Sequence, residues 1–222
     1  VYKTNRTFYS FAEYVSTTGT YEYPVYDLNE KVGNVSANGV QLVDNTPIAL
    51  YGQSMWKWTS TQIEDERNAS VISERIRYSI EDLDLSSAVT FDYQKEKEYW
   101  LNIGTDVWIW NYGNDTFYQY DNVQATMFCD IKNTVYFGSN GTVEKFGGFT
   151  DNLVAVHGIM ELGFTDFGVN ELSKTTRYIW CSIQPFSRTS VNISYATNRF
   201  NTGIVKAIKS IVFALVPISS SA

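Results

Sequence analysis

The prediction of the fold starts from residues 91–121, which read FDYQKEKEYWLNIGTDVWIWNYGNDTFYQYD. In this stretch, β-branched and aromatic residues recur at every second position, which is the pattern of strands whose two faces meet different surroundings. Turn-forming residues separate the runs, at Gly104-Thr105-Asp106 and at Gly113-Asn114-Asp115. They supply the positive φ angles of tight hairpins. The stretch predicts one propeller blade of four consecutive strands: Ala88–Tyr93, Tyr99–Ile103, Asp106–Tyr112 and Thr116–Tyr120.

Within this blade, Trp108 and Trp110 are two residues apart and share one face of a strand, while Val107 and Ile109 share the other. Propeller blades are covered on both sides, so we expect one face in the core between blades. The other face is expected to meet a neighbouring blade or subunit.

Short strands are also predicted on either side of this blade. Upstream they are Val40–Val43, Ile48–Tyr51 and Ser54–Trp58, which look like part of another blade. Downstream they are Val123–Asp130, Thr134–Phe137 and Thr142–Phe146, which form a meander. Near the N-terminus, Thr17-Thr18-Gly19-Thr20 predicts a hairpin, and the polar run Leu28–Gly39 predicts a loop.

The pattern breaks at Gly147-Gly148, where we place a domain boundary. Residues 1–148 are predicted to be a β-propeller portion, and residues 149–222 a β-sandwich-like C-terminal unit. Longer strands are expected in that unit: Leu153–Leu162, Thr175–Gln184 and Ser190–Ala196. The predicted fold class is therefore mainly β, with partial propeller blades followed by a sandwich-like unit.

An amphipathic helix is predicted at about residues 61–85, between the strands. Its apolar residues are spaced by four, four and three positions, as on one helix face: Ile72, Ile76, Ile80 and Leu83. Thr61–Glu64 matches a capping box, although Asn68 or Ser70 would cap a shorter helix. We expect the isoleucines to pack on β structure, with Arg75 and Arg77 facing outward or toward another chain.

The chain of 222 residues carries a net charge of −7, unevenly distributed. Residues 172–222 contain six Lys or Arg and no Asp or Glu, so residues 1–171 carry −13. This asymmetry indicates an oligomer interface, a patch that faces something acidic, or a solvated basic strand face. The acidic majority argues against a protein that holds nucleic acid along its whole surface.

No catalytic, cofactor-binding or metal-ligating residue is predicted, and no cofactor. His157 is the only histidine, which argues against Ser-His-Asp, Cys-His and multi-histidine metal sites, and a hydrogen-bonded structural role is expected for it. Ser54 lacks the second glycine of a nucleophile elbow. Asp82-Leu83-Asp84 lacks the spacing of a calcium loop, which favours solvated helix-end carboxylates.

The two cysteines, Cys129 and Cys181, lie in apolar runs without CxxC spacing, so we expect reduced structural thiols. Six Asn-x-Ser/Thr sequons occur, at Asn5, Asn34, Asn68, Asn114, Asn140 and Asn192. Chance matches are the favoured interpretation, because the chain is rich in Asn, Ser and Thr. No span is long enough to cross a bilayer, so no membrane insertion is expected.

Roughly residues 40–197 resemble phage tail nozzle and stabilisation proteins, with the muzzle proteins of crAss-like phages as the nearest members. The resemblance is carried by the order of several segments: 99–101, 110–112, 117–121, 135–141, 149–152, 161–168 and 174–177. The predicted helix from Glu66-Arg67-Asn68 to Ile76 also fits this family.

The resemblance implies a homo-oligomeric, commonly sixfold ring below the portal of a double-stranded DNA phage. Such a ring is part of the virion, is assembled in the bacterial host cytoplasm, and forms part of the tube for DNA ejection. DNA passes through it transiently and without sequence preference, and other tail proteins are its partners. The implied role is structural and not enzymatic.

The alternative is a carbohydrate-binding or glycosidase-type propeller in a receptor-binding role, in which exposed Trp and Tyr stack on sugars. Paired carboxylates for glycoside cleavage are compatible with the sequence.

The strands before Gly148 amount to about three blades, whereas propellers typically need about four to eight to close. The chain starts at Val1 without a methionine, and Ile211–Ile218 has no evident strand partner. We therefore expect a portion of a longer polypeptide, completed by its remaining portion or by neighbouring subunits.

Overall fold

The computed structural model describes residues 1–58, 68–148, 150–151, 154–161, 189–196 and 205–213. The chain divides into two compact units, Val1–Val156 and His157–Ala222. The described residues form several small antiparallel sheets and one short α-helix, so the predicted mainly β class is confirmed.

The first unit begins with strand β1 (Tyr2–Lys3), followed by an arm that folds back on itself as a long hairpin. The strands of the arm are β2 (Arg6–Ser10), β3 (Glu13–Val15), β4 (Thr20–Glu22) and β5 (Val25–Asn29). At the base, β1, β2 and β5 form a three-stranded sheet, and beyond it β3 pairs with β4 alone. The predicted hairpin at Thr17–Thr20 is confirmed, and β5 extends to Asn29, so the following loop starts later than predicted.

The second sheet has four strands in chain order: β6 (Gln41–Val43), β7 (Thr46–Tyr51), β8 (Ser54–Trp58) and β9 (Ala69–Val71). The first three confirm the strands predicted in this region. Asp44 and Asn45 connect β6 to β7 with φ angles of 46° and 60°. Two successive positive φ angles define a type I′ hairpin turn, which Asp and Asn accept more readily than most residues.

The long helix predicted at 61–85 is confirmed only in part, over residues 74–80, and residues 61–67 lie outside the described residues. The described part consists of strand β9, a 3₁₀ turn at Glu74–Ile76, helix α1 (Arg77–Ile80) and a second 3₁₀ turn at Leu85–Ser87. Strand β9 pairs with β8, and the backbone N–H of Ile72 donates to the carbonyl of Met55. This pairing holds residues 69–72 extended, so the helix begins later and is shorter than the apolar spacing predicts.

The burial predicted for this segment is nevertheless confirmed. Ile76 and Ile80 are buried, and Ile72 packs against the core. Arg75 and Arg77 face outward, as predicted, and Arg75 forms an ion pair with Asp115. Burying an apolar side chain lowers the free energy of the folded state in any backbone conformation. The isoleucine spacing therefore identified buried positions but not the extent of the helix.

The central sheet is the blade predicted from residues 91–121. Its strands, in order, are β10 (Val89–Tyr93), β11 (Glu98–Ile103), β12 (Asp106–Asn111) and β13 (Thr116–Tyr120). All four predicted strands are confirmed within a residue at each end. The register pairs Leu101 with Trp108 and Trp100 with Ile109.

A third meander follows, made of β14 (Met127–Asp130), β15 (Val135–Ser139) and β16 (Thr142–Lys145). The strand predicted at Val123–Asp130 is wrong in its first half. There Val123 donates its N–H to Thr105 and Thr126 donates to Gly138, so residues 123–126 cross between sheets instead of joining a ladder.

The core lies on both faces of the central sheet. On one face, Tyr99, Leu101 and Trp110 pack against the second sheet through residues such as Ile48 and Met55. On the opposite face the sheet packs against the third meander, and this cluster includes Trp100, Val107, Ile109, Val135 and Phe137.

Trp108 is partly buried against the first of these two clusters. The expectation that both faces of the tryptophan-bearing strand are covered is therefore confirmed.

The remaining strands are β17 (Thr150–Asp151), β18 (Val154–Ala155), β19 (Thr189–Ala196) and β20 (Val205–Phe213). The strand predicted at Leu153–Leu162 is wrong beyond Ala155, because residues 156–161 are exposed coil. The strand predicted at Ser190–Ala196 is confirmed as part of β19. The strand predicted at Thr175–Gln184 lies outside the described residues.

The expectation that the Ile211–Ile218 run has no partner is wrong for its described part, residues 211–213. Thr189, Ser190 and Val191 pair with Phe213, Val212 and Ile211. This antiparallel pairing with a strand about twenty residues earlier supplies partners for the backbone N–H and C=O groups of residues 211–213. The sandwich-like arrangement and the boundary near Gly148 stay predictions.

Candidate interaction surfaces

Two residues singled out from the sequence are more exposed than predicted. His157 lies in exposed coil, past the end of β18, and not in a strand. Cys129 is a free thiol, as predicted, but it is exposed on β14 instead of buried. In β14 only Phe128 is partly buried, whereas Met127, Cys129 and Asp130 are all exposed. Cys181 lies outside the described residues.

The carboxylates of Asp82-Leu83-Asp84 are both exposed, which agrees with the solvated interpretation. Asp84 caps the 3₁₀ turn that follows, because its Oδ1 accepts the N–H of Ser86 at 2.9 Å. That backbone hydrogen bond lowers the pKa of Asp84. Ser54 begins strand β8 opposite Tyr51.

Across the part of the chain that the structure describes, no group of three or more His, Cys, Asp or Glu residues is placed to hold a metal ion. Within the same ranges, no helix has the length and apolar character needed to cross a membrane. The sequon at Asn68 is fully buried, so a glycan could not occupy it in the folded chain.

The first surface that the sequence did not reveal is the arm, residues 6–29. Its outer half carries large side chains in water: Phe11, Tyr14, Tyr21, Tyr23 and Val25. Tyr14 is 60% exposed, Tyr21 64% and Tyr23 68%. Tyr9, Phe11 and Tyr26 stack on one another, with centroids 5.3 to 6.0 Å apart. Solitary exposed apolar residues are ordinary, but contiguous patches mark interaction sites.

The arm also carries two carboxylates in direct opposition. Glu13 and Glu22 are cross-strand partners, one position before the Tyr14–Tyr21 pair. Tyr26 donates its hydroxyl to Oε1 of Glu13 at 2.8 Å, and this hydrogen bond raises the pKa of Tyr26. Like charges directly opposite each other destabilise an antiparallel pair. The outer half of the arm is therefore both apolar and acidic.

The base of the arm is held firmly. The Nδ2 of Asn29 donates to Oδ1 of buried Asn68 at 2.8 Å, and Nδ2 of Asn68 donates to the carbonyl of Leu28 at 2.7 Å. The hydroxyl of Thr7 donates to the carbonyl of Val32 at 2.8 Å. The Asn68 bonds fix β5 beside the start of β9, and the Thr7 bond fixes β2 to the loop at Val32, so the exposed outer half projects from an ordered root.

Gly33 allows the chain to pass closely over this root. A Cβ atom at position 33 would lie 2.0 Å from the carbonyl oxygen of Lys3. No side chain can be accommodated at that distance, so the crossing requires glycine.

The second surface is an open cleft of about 510 Å³ between the central sheet and the third meander. Its lining combines aromatic, acidic, amide and basic side chains: Tyr93, Glu96, Glu98, Trp100, Tyr120, Asn133, Lys145 and Phe146. Trp100 is only 2% exposed and forms the floor, whereas Tyr120 at the edge is 39% exposed.

Glu98 is the centre of this cleft. Its Oε2 accepts the indole N–H of Trp100 at 2.9 Å, and its Oε1 accepts the hydroxyl of Tyr118. Burial and the carboxylate of Glu98 together raise the pKa of Tyr118. Because both oxygens of Glu98 accept hydrogen bonds from the protein, this carboxylate holds the side chains of Trp100 and Tyr118 in place.

Sequence reasoning missed both surfaces. The sequence contains one indication of the exposed arm: residues 11–24 have closely spaced aromatic residues with two Glu and no Lys or Arg. The cleft had none, because it forms only when residues 98, 120 and 145 come together from three strands. No known protein family matches the chain, and no curated protein is significantly similar to it in sequence.

Proposed function

We propose that this chain is a structural, non-enzymatic component of a double-stranded DNA phage tail. In this proposal, a homo-oligomeric ring of copies, sixfold by resemblance, forms part of the nozzle or muzzle channel for DNA ejection. The chain contributes partial β-propeller blades followed by a β-sandwich-like unit. It acts in the virion, is assembled in the bacterial host cytoplasm, and meets other tail proteins and the remaining portion of its own polypeptide.

The observation that carries the proposal is the face-to-face stacking of consecutive meanders. The second sheet, the central sheet and the third meander each fold strand by strand in chain order, and both faces of the central sheet are covered. Propeller blades are antiparallel sheets of this kind that pack in sequence around an axis. The same order of motifs underlies the resemblance to tail nozzle proteins.

The charge distribution supports passage of DNA without binding. Residues 1–171 carry a net charge of −13, and six Lys or Arg lie in residues 172–222. Because a protein binds DNA mainly by neutralising its phosphates with Lys and Arg, an acidic surface gives little non-specific affinity. A channel wall of this kind lets DNA slide past.

The experiment is electron microscopy of the purified chain together with a DNA-binding assay. We expect closed rings with a central channel, and no retention of double-stranded DNA at physiological salt. Particles without rotational symmetry at every concentration tested would contradict the ring. Tight, salt-sensitive DNA binding would contradict the channel role.

The carbohydrate alternative is favoured by the cleft around Glu98, and not by the covered Trp108 and Trp110. Sugars bind through aromatic faces flanked by carboxylates and amides, and Tyr120 and Glu98 supply these groups. A glycan array and a hydrolase screen separate the two functions. Glycan binding that disappears in Tyr120→Ala but persists in Tyr78→Ala, an exposed tyrosine away from the cleft, would favour the alternative.

A further inference from the structure

Tyr14 and Tyr21 form a pair of exposed phenol rings on the outer half of the arm. They are direct cross-strand partners of β3 and β4, and their ring centroids lie 5.3 Å apart with the ring planes at 58° to each other. Tyr14 is 60% exposed and Tyr21 64%. Because exposed side chains change rotamer within nanoseconds, the two rings can turn toward each other while the strands keep them adjacent.

The part of the chain that the structure describes contains two other close tyrosine pairs, and both are more constrained. Tyr9 and Tyr26 are stacked, with Tyr9 packed against the core and the hydroxyl of Tyr26 held by a carboxylate. Tyr118 lies beside Tyr120, but Tyr118 packs against the core and its hydroxyl is also held by a carboxylate. Among these pairs, the Tyr14–Tyr21 pair therefore combines access for a reagent with freedom of both rings to turn.

We propose that Tyr14 and Tyr21 are an oxidative modification site, at which hydrogen peroxide, acting through a haem peroxidase, joins the two rings as dityrosine. Each phenol gives up one electron and one proton and becomes a phenoxyl radical. The two radicals form a carbon–carbon bond between ring positions next to the hydroxyls, and the hydrogens on those carbons pass to the oxygens through solvent. In all, the pair loses two electrons and two protons, which reduce one hydrogen peroxide to two water molecules.

The hairpin favours coupling within one chain over coupling between chains. Groups joined by a short tether meet at an effective concentration of about 1 mM, so at about 1 μM chain the internal reaction is favoured roughly a thousandfold. Strands β3 and β4 form a sheet of only two strands, which by itself is marginally stable in water. A covalent link between them restricts the unfolded hairpin as a disulfide does, so it holds the outer half of the arm folded. The inference goes beyond the proposed function and does not depend on it.

The test is oxidation of the full chain at low concentration with a haem peroxidase and hydrogen peroxide, followed by dityrosine fluorescence and mass spectrometry. Cleavage after glutamate releases residues 14–22, which contain both tyrosines, whereas Tyr23 and Tyr26 fall in residues 23–30. The internal link therefore appears as the 14–22 peptide lacking the mass of two hydrogens. A link from either ring to any other tyrosine joins two peptides.

The variant is Tyr14→Phe, which keeps an aromatic ring and removes the phenol. The matched control is Tyr23→Phe, which removes a phenol of the arm that is 68% exposed and lies outside the pair. We expect Tyr14→Phe to abolish the internal link and Tyr23→Phe to leave its yield unchanged. In urea that unfolds the chain, we expect a lower yield, because the strands no longer hold the rings together.

Dityrosine that forms mainly between chains or at other tyrosines would overturn the inference, and so would a chain that forms none. An equal yield of the internal link in folded and unfolded chains would also overturn it, because nearness in sequence would then suffice. Hydrogen exchange tests the effect on the arm. Amides of residues 13–22 should exchange more slowly once the link has formed, and unchanged exchange would refute the conclusion that the link holds the outer half folded.

Discussion

Replacing Trp100 by alanine tests whether the stacked sheets form one continuous core. The ring of Trp100 lies within 4.7 to 6.2 Å of five other aromatic rings and is 2% exposed. Truncating a buried tryptophan to alanine typically costs about 3–5 kcal/mol of folding free energy. Here the change also removes the indole N–H that Glu98 accepts, so we expect about 4 kcal/mol or more.

The assay is urea unfolding of the Trp100→Ala chain, followed by near-ultraviolet circular dichroism. At a denaturant dependence of about 2 kcal/mol per M, a loss of about 4 kcal/mol lowers the urea midpoint by about 2 M. The control is Tyr78→Ala, which removes an aromatic ring that is 84% exposed and should change stability by less than about 0.5 kcal/mol. A loss of less than about 1 kcal/mol at Trp100 would refute the conclusion that the third meander covers the central sheet.

Three further changes probe other parts of the chain. Ile76→Ala should lower the unfolding free energy by about 2–4 kcal/mol, because its side chain is buried, and a urea titration that shows no change would mean that the segment is loosely held. Asn68→Ala should cost about 1–3 kcal/mol in a melting experiment, because it leaves buried amide and carbonyl groups at the arm's root without their partners. Tyr118 has a folded pKa raised above its ordinary 10.0, so its contribution to stability is full below pH 10 and is lost as pH rises through the folded value. The Tyr118→Phe chain should therefore lose less stability than the wild type between pH 9 and pH 11, and equal losses would contradict this assignment.

The hairpins could be predicted because their determinants are local. Alternating side chains define a strand, and residues such as Asn45 and Gly104 tolerate the positive φ angles of the turns between them. Each central strand pairs with its neighbour in the sequence, so no distant information was needed.

The segment 68–85 could not be predicted in this way. Its isoleucine spacing fits a helix. Strand β9, however, pairs with β8, which lies ten or more residues earlier in the sequence, so the local pattern does not reveal the pairing. The exposure of the arm could not be predicted either. Tyr14 and Tyr21 stand in strands with the same alternating pattern as the buried strands of the central sheet. Whether an aromatic face is covered depends on what the rest of the protein, or another copy, places against it.

In the second sheet, the central sheet and the third meander the strands pair in chain order, and this has a consequence for synthesis on the ribosome. Each meander can fold as soon as its last strand emerges, because its contacts are local in sequence. After Tyr120 has emerged, however, the face bearing Val107 and Ile109 stays bare until residues 127–146 arrive to cover it. At translation rates of about 5–20 residues per second this interval lasts roughly 1 to 5 seconds. A nascent chain that pauses in this interval exposes the apolar face of a completed sheet to other proteins. We therefore expect chaperones to be needed most at this time.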